Sequence, residues 1–305
     1  MTAMLKLGTR GSPLALVQAR LVADALIEAH GWTADAVEIV TVVTTGDRIQ
    51  DRPLAEIGGK ALWTKELDVA LLDRRIDFGV HSMKDVETSL GDGIALGAML
   101  PRADVRDRLI GADSLDALPN SGRIGTSSPR RAAQLLALRP DLQISMLRGN
   151  VATRLAKVSS GAIDATLLAA AGLERLGHAL GTPVPTGIML PAAAQGAVGT
   201  TLRADDSRTA GYLAAINDPL TARAVRLERA LLSALGADCH SPVAALAEPG
   251  AGNIRMRAEL LAPDGGERVS DGFEVVGPEA DAAVETLAER LLAAASPGLR
   301  ALFGG

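Results

Sequence analysis

The sequence predicts an α/β fold of two doubly wound lobes, followed by a small α+β domain. Strand-like apolar runs alternate with amphipathic helical segments up to about Arg203, an order typical of lobes with a largely parallel sheet. The letters GTRGSP at 8–13 return as GTSSP at 125–129, which indicates two lobes that begin alike. From about Pro219 strands are joined by short turns instead, and 305 residues exceed one typical core.

The first lobe is predicted to comprise residues 1–100 and 197–216. Ser12 and Pro13, residue types that cap and begin a helix, follow its first strand. The polar segment 44–63 is broken by proline and glycine and is long for a connection, so we interpret it as a lid. The predicted elements of this lobe are strands at 4–9, 38–43, 77–81, 94–99 and 197–203 and helices at 13–29 and 64–74.

The second lobe, predicted at 101–196, carries a strongly basic segment. Residues 123–154 contain six arginines and one acid, a local charge of +5 in a chain of net charge −5. The predicted order is strand, loop, helix, strand, loop, helix, with Arg130 and Arg131 in the first turn of the first helix. Because cations there oppose the helix dipole, their presence indicates either a nearby anion or full solvation.

Arg148 and Arg154 flank the start of the second helix of this segment. If both helix N-termini meet at one end of a sheet, they and the four arginines would form a binding site for carboxylates or phosphates. A solvated basic face is the alternative, since charge runs are usually exposed. The predicted elements here are strands at 124–126, 142–147 and 165–169, helices from Pro129 and from about 150, and a short helix around 174–175.

Residues 217–305 are predicted to form a separate C-terminal domain. Its predicted elements are a helix at 219–235, strands at 243–247, 254–261 and 267–276, and a helix at 279–295. The short turns between these strands predict a three-stranded antiparallel sheet. Residues 101–104 and 191–196 are interpreted as two crossings between the lobes, an arrangement typical of periplasmic-binding-protein-like folds.

Composition narrows the classes of function. Aromatic residues make up 2% of the chain, so few side chains could stack on nucleic-acid bases, and nucleic-acid binding is not expected. No run approaches the roughly 18 apolar residues of a membrane span, and no signal-peptide pattern is visible, so no membrane association is expected. The single cysteine fits a reducing compartment, so a cytoplasmic location is expected. Four histidines without ligand spacing predict no metal site.

Two residues are candidates for chemistry. Cys239 lies in a polar loop between Asp238 and His240, where exposure and an imidazole favour a reactive thiol, although a lone cysteine is most often inert. Asp85 follows a predicted strand end beside Lys84. A carboxylate in a positively charged cleft would stabilise a cationic intermediate and move protons. The alternative is a turn residue paired with its neighbour.

Taken together, the motifs resemble the hydroxymethylbilane synthase (porphobilinogen deaminase) family over nearly the whole chain. They are GTRGSPLAL (8–16), TTGD (44–47), IGGK (57–60), KELDVALL (65–72), VHSMKD (80–85), GTSSPRRAAQL (125–135), LRGNVATRL (147–155), AAGLERLG (170–177), QGAVG (195–199), ERALL (228–232) and the Cys239 loop. The departures are Ala194 where the family usually has glycine, Trp63 where phenylalanine is usual, and Pro129 in place of an aliphatic residue.

The resemblance implies a transferase of tetrapyrrole and heme biosynthesis. Such an enzyme joins four porphobilinogen molecules head to tail, releases ammonia at each step and hydrolyses the chain to hydroxymethylbilane. The resemblance also implies a dipyrromethane cofactor attached to Cys239 by a thioether, Asp85 as the catalytic carboxylate, and a monomer. A two-lobed protein that binds or senses a small anion without catalysis is the alternative.

Further site residues follow from the resemblance, position by position. The cofactor would be held by Cys239, Ser82, Lys84, Thr126, Ser127, Ser128, Arg130, Arg131, Arg148 and Arg154. The acetate and propionate groups of the substrate would be held by Arg10, Ser12, Lys60, Arg148, Arg154, Arg175 and Gln195. Because each pyrrole adds two carboxylates, a growing chain needs cations distributed over a wide surface rather than one pocket.

Overall fold

The computed structural model describes residues 4–43, 64–238, 240–250 and 252–303. The chain divides into two compact units, Met1–Ala103 with Gly196–Ala222 and Asp104–Gln195 with Arg223–Gly305. Within the described residues each unit contains one five-stranded sheet, and the second unit also contains a three-stranded sheet. The predicted division into three domains stays a prediction.

The first unit is a mixed sheet with helices on both faces. Its elements are β1 (Leu5–Arg10), α1 (Pro13–His30), β2 (Val37–Val42), α2 (Lys65–Leu72), β3 (Phe78–Ser82), β4 (Ile94–Met99), β10 (Val198–Arg203) and α6 (Ser207–Ala214). The strand order is β2-β1-β3-β10-β4, and β10 alone runs antiparallel to its neighbours. Leu7 packs in the cluster that contains Leu26 of α1, whereas Gly8 faces Leu67 of α2. Adjacent strand residues point to opposite faces, so both faces of the sheet are covered.

Helix α1 begins and ends as its sequence predicts. The Ser12 hydroxyl accepts a hydrogen bond from the Ala15 N–H, Pro13 is the first helical residue, and Gly31 follows the helix with φ of 63°. A left-handed residue at this position favours glycine because it has no Cβ. Local side chains therefore set both ends of the helix.

The second unit contains a sheet with the same topology. Its elements are β5 (Asp107–Ile110), β6 (Arg123–Gly125), α3 (Pro129–Leu138), β7 (Gln143–Ser145), α4 (Val151–Ser159), β8 (Ala165–Ala169), α5 (Ala170–Arg175) and β9 (Thr182–Pro183). The order β7-β6-β8-β5-β9, with β5 antiparallel, repeats that of the first sheet. The predicted likeness of the two lobes is confirmed. Strands β5 and β9 escaped prediction because they are short, and β5 begins with two charged residues.

The C-terminal part of the second unit is an antiparallel sheet with helices. Its elements are α7 (Pro219–Ala234, which begins in the first unit), β11 (Val243–Pro249), β12 (Asn253–Leu261), β13 (Arg268–Val276), α8 (Ala280–Ala294) and α9 (Pro297–Arg300). The strands form an antiparallel meander, as predicted. Leu231, Met256 and Leu287 are fully buried in its core. In the described part of the chain no helix is both long and apolar enough to span a bilayer.

Candidate active site

A small cleft of about 70 Å³ lies where β1 and β3 end in the first unit. Carboxyl ends of parallel strands meet at one edge of a sheet, which is where α/β folds bind ligands. The polar residues that line the cleft are Arg10, Ser12, Gln18, Thr64, His81, Ser82 and Asp85. The structure thus brings together three of the residues predicted for the substrate or cofactor and the predicted catalytic acid.

Asp85 is held at the rim of this cleft by a single 3₁₀ turn, Met83–Asp85, directly after β3. The Met83 N–H donates to the Ala197 carbonyl at 3.1 Å, and the Met83 side chain is 1% exposed. The side chains of Lys84 and Asp85 are half-buried. Because the turn is anchored by the buried methionine, the backbone of Asp85 has a defined position at the end of the sheet.

Ser82 and Gln18 form a polar pair beside Asp85. The Gln18 amide nitrogen donates to the Ser82 hydroxyl at 2.8 Å, and that hydroxyl lies 3.1 Å from the Gln18 amide oxygen. Gln18 is almost fully buried on α1. Its amide therefore fixes the Ser82 hydroxyl at the edge of the cleft.

His81 forms part of the same cleft wall as a buried, neutral imidazole. Its Nε2 lies 2.9 Å from Thr201 Oγ1 on β10. Burial, and then the positive charge of Arg10, lower the pKa of His81 to about 4. A Cβ on Gly79 would lie 2.9 Å from His81 Nε2 and 3.0 Å from Thr201 Oγ1, so glycine makes room for this pair. In the described ranges no group of three or more His, Cys, Asp or Glu residues could hold a metal ion.

The basic loops of the second unit lie at one edge of its sheet, because β6 and β7 are parallel neighbours. The Ser128 hydroxyl accepts from the Arg131 N–H and caps α3, and Asn150 Oδ1 accepts from the Thr153 N–H at 3.0 Å and caps α4. Arg154 joins the loops, since its Nη2 is 3.5 Å from Ser127 Oγ and its Nε donates to the Gly149 carbonyl at 3.0 Å. Two helix N-termini therefore meet at this edge.

Arg130 and Arg131 are buried rather than solvated, with exposures of 3% and 6%. Arg130 Nη2 is 2.9 Å and Arg131 Nη2 is 2.7 Å from the carboxylate of Asp107, which is 3% exposed. The solvated-face alternative is wrong for this pair. Arg139, just after the end of α3, is not solvated either, since its guanidinium pairs with Asp141 and donates to the Leu115 carbonyl at 2.9 Å.

The other predicted residues of the second unit are placed as follows. Gln195 is fully buried, and its Nε2 donates to Asp107 Oδ1 and to the Val105 carbonyl, each at 2.8 Å. Thr126 is buried and its hydroxyl accepts from the Ser128 N–H at 3.1 Å. Arg148 and Arg175 are half-buried, and burial lowers the pKa of Arg175.

Three predicted features lie outside the described residues, namely Lys60, Cys239 and the lid at 44–63 with Trp63. Their roles stay predictions. Ala194, the departure next to Gln195, is described and has φ of 60°. Its N–H donates to the buried Glu228 carboxylate at 2.5 Å.

Comparison with known proteins identifies the family. A family model described as "Porphobilinogen deaminase, dipyromethane cofactor binding domain" matches residues 5–211, and "Porphobilinogen deaminase, C-terminal domain" matches residues 222–293. This chain belongs to the porphobilinogen deaminase family. The predicted membership is thereby confirmed, and the departures at Ala194, Trp63 and Pro129 lie within the range covered by the first model.

Individual relatives agree with the porphobilinogen deaminase assignment. The porphobilinogen deaminase of Sphingopyxis alaskensis is 57% identical over 98% of this chain and 96% of its own, and that of Paracoccus denitrificans is 50% identical over 94% and 93%. Among solved structures, substrate-binding domain 2 of Lactococcus lactis GlnP is 9% identical with a TM-score of 0.43, over 71% of this chain and 87% of that one.

The sequence did not reveal the polar partners of the porphobilinogen deaminase site residues. Asp107 pairs with arginines 23 and 24 positions away, and Thr201 meets His81 across 120 positions. The pairing of Arg130 with Gln134, whose amide oxygen accepts from Nη1 at 2.8 Å, did carry a local signal. Residues four apart lie on one face of a helix, so this contact was open to prediction.

Proposed function

We propose that this chain is a hydroxymethylbilane synthase that joins four porphobilinogen molecules head to tail, releases ammonia and hydrolyses the product to hydroxymethylbilane. The observation that carries this proposal is the pair of family matches, which together span most of the chain. Asp85 at the carboxyl edge of the first sheet, in a cleft with Arg10, supports it. We expect the protein to act as a monomer in the cytoplasm, with porphobilinogen as its small-molecule partner.

The described residues fit a dipyrromethane, a group rich in carboxylates. Arg130 and Arg131 lie in the first turn of α3, at the edge where two helix N-termini meet and where Arg154 Nη2 is 3.5 Å from the Ser127 hydroxyl. Guanidinium groups and helix N-termini are the donors that carboxylates prefer. The residues that would hold the cofactor are Ser82, Lys84, Thr126, Ser127, Ser128, Arg130, Arg131, Arg148 and Arg154, with Cys239 as the thioether anchor. When bound, the dipyrromethane supplies the pyrrole carbon from which chain growth starts.

We propose that the Asp85 carboxylate stabilises the positive charge that develops on the substrate. Its half-buried carboxylate would accept a hydrogen bond from a pyrrole N–H and stabilise the positive centre that forms on the substrate as ammonia leaves. A preorganised carboxylate in a partly desolvated cleft stabilises a cation more strongly than it would in water. It would also take up and return a proton at its oxygen atoms.

The cations are proposed to hold the acetate and propionate groups. The residues assigned to the substrate are Arg10, Ser12, Lys60, Arg148, Arg154, Arg175 and Gln195. Both N–H groups of the Gln195 amide are bonded, one to Asp107 and one to the Val105 carbonyl. Any direct contact of Gln195 with a ligand would therefore use its amide oxygen.

Intact mass tests the function directly. Purified protein should exceed its sequence mass by one dipyrromethane and turn red with an aldehyde reagent for pyrroles. Protein at its bare mass, without colour, that binds porphobilinogen unchanged would instead support the anion-binding alternative.

Substitution of Asp85 tests the assigned chemistry. We expect Asp85→Asn to keep its fold and its covalent pyrrole mass and to lose about 10²- to 10⁴-fold in turnover, the usual contribution of a positioned proton-transfer group. Asp92→Asn, at an exposed position of the following turn, is the matched control and should turn over normally. Near-normal turnover in Asp85→Asn would remove Asp85 from this role.

A further inference from the structure

Asp107 is a buried carboxylate that serves both arginines at the start of α3. Its Oδ1 accepts from Arg131 Nη2 at 2.7 Å and from Gln195 Nε2 at 2.8 Å. Its Oδ2 accepts from Arg130 Nη2 at 2.9 Å and from Arg131 Nε at 3.2 Å. All three charged residues are at most 6% exposed, so solvent does little to screen the charges of this cluster.

The arginine pair depends on this acid for its geometry. Two guanidinium groups in the first turn of a helix repel each other and oppose the helix dipole. One carboxylate between them leaves these three residues with a single net positive charge, while the nearby Glu259 carboxylate is itself paired with Arg268. Burial lowers the pKa of Arg130, and the negative charge of Asp107 opposes that shift. Without the acid, the two buried cations would repel each other and would keep only their bonds to Gln134 and to the carbonyls of Leu190 and Leu167.

Neighbouring polar groups accept hydrogen bonds from the guanidinium nitrogens that do not bond Asp107. Arg130 Nη1 donates to the Leu190 carbonyl and to Gln134 Oε1, each at 2.8 Å. Gln134 in turn donates to Glu259 of β12 at 2.9 Å. Arg131 Nη1 donates to the Leu167 carbonyl at 2.9 Å. Each guanidinium is thus fixed by three hydrogen bonds to described residues.

These hydrogen bonds do not use all the N–H donors of the Arg130 and Arg131 guanidinium groups. A guanidinium has five N–H groups, and bonds to described residues occupy three on Arg130 and three on Arg131. Arg130 Nε is one of those left, since it is buried and has no partner among the described residues. A cluster with one net positive charge and unused N–H groups on both cations matches a single carboxylate.

We propose that Asp107 is a positioning residue, which orients Arg130 and Arg131 so that together they take one carboxylate of the oligopyrrole. This inference rests on the proposed synthase function. It differs from a purely structural role in one respect: loss of Asp107 should weaken ligand binding in molecules that are still folded, and not only lower the number of folded molecules.

The test compares Asp107→Asn with Asp141→Asn. The Asp141 control breaks a two-point Arg–Asp ion pair, with Arg139 just beyond the other end of α3. Apo-protein of each variant is incubated with porphobilinogen, and covalent pyrrole is counted by intact mass per folded chain, with folding measured by circular dichroism. The KM for porphobilinogen is then measured on the loaded fraction.

We expect Asp107→Asn to load at least tenfold more slowly per folded chain and its KM to rise at least fivefold, while Asp141→Asn stays within twofold of wild type. Loading and KM within twofold of wild type in folded Asp107→Asn would overturn the inference. If Asp107→Asn does not fold, Asp107→Glu serves, because it keeps the negative charge and moves it by one methylene group relative to the two guanidinium groups. A threefold or greater loss of loading per folded chain supports positioning by this network, and no loss contradicts it. Wild-type protein that gains no pyrrole mass would overturn the synthase function itself, before any variant is compared.

Discussion

The buried imidazole of His81 should make the first unit sensitive to mild acid. In the folded protein the pKa of His81 is about 4, because burial and the charge of Arg10 disfavour the protonated form. An unfolded histidine has a pKa of about 6.5. Between these values the unfolded chain binds the proton and the folded chain does not. Stability therefore falls as the pH drops from about 6.5 towards 4, and the loss is complete below 4.

The size of the effect follows from the two values. The full difference of 2.5 units corresponds to about 3 kcal/mol. At pH 5, where His81 is still neutral in the folded state, the expected loss relative to pH 7.5 is about 2 kcal/mol. Burial and the nearby Glu87 raise the pKa of Asp68 to about 6, which acts in the opposite direction. A comparison with a His81 variant cancels that contribution.

The assay is urea unfolding at pH 5.0 and 7.5, followed by tryptophan fluorescence. Trp32, one of the two tryptophans of the chain, lies in the first unit with its ring centroid 5.0 Å from that of Tyr212. His81→Gln keeps a hydrogen-bonding group for Thr201 but does not titrate. Wild type should lose about 2 kcal/mol more than this variant on going to pH 5. Equal losses, or an NMR titration of His81 near pH 6.5, would refute the reasoning.

Three further changes have defined outcomes. Gly79→Ala should destabilise the first unit by about 1–3 kcal/mol in the same assay, because its Cβ would press on His81 Nε2; a neutral result would mean that the strand shifts freely. Arg203→Met should cost about 3 kcal/mol, since the buried guanidinium donates to the Leu71 carbonyl at 3.0 Å and pairs with Asp206, and an unchanged urea midpoint would contradict this. Ala194→Gly should change the thermal midpoint little, because relief of about 1–2 kcal/mol of left-handed strain is offset by about 0.5–1 kcal/mol of extra backbone entropy. A large drop in the thermal midpoint would mean that the packing of the Ala194 methyl group contributes more stability than its left-handed backbone strain costs.

Local signals were sufficient to predict much of the fold. Ser12 with Pro13 and Ser128 with Pro129 begin α1 and α3 as predicted, because capping depends on residues within one turn. The meander of the C-terminal sheet followed from its short turns. Strand β5 was missed, since four residues that begin with Asp107 carry too little periodicity to distinguish a strand from a loop.

The same distinction holds for the site. The sequence alone predicted the family, the position of Asp85 after a strand and the concentration of arginines in one segment. Each of these is visible in short stretches of consecutive residues. Only the tertiary structure decided that Arg130 and Arg131 are buried on Asp107 and that His81 meets Thr201. These contacts join strands and helices that are far apart in the chain. Whether a charged side chain is solvated or is buried and hydrogen-bonded depends on tertiary packing rather than on local sequence.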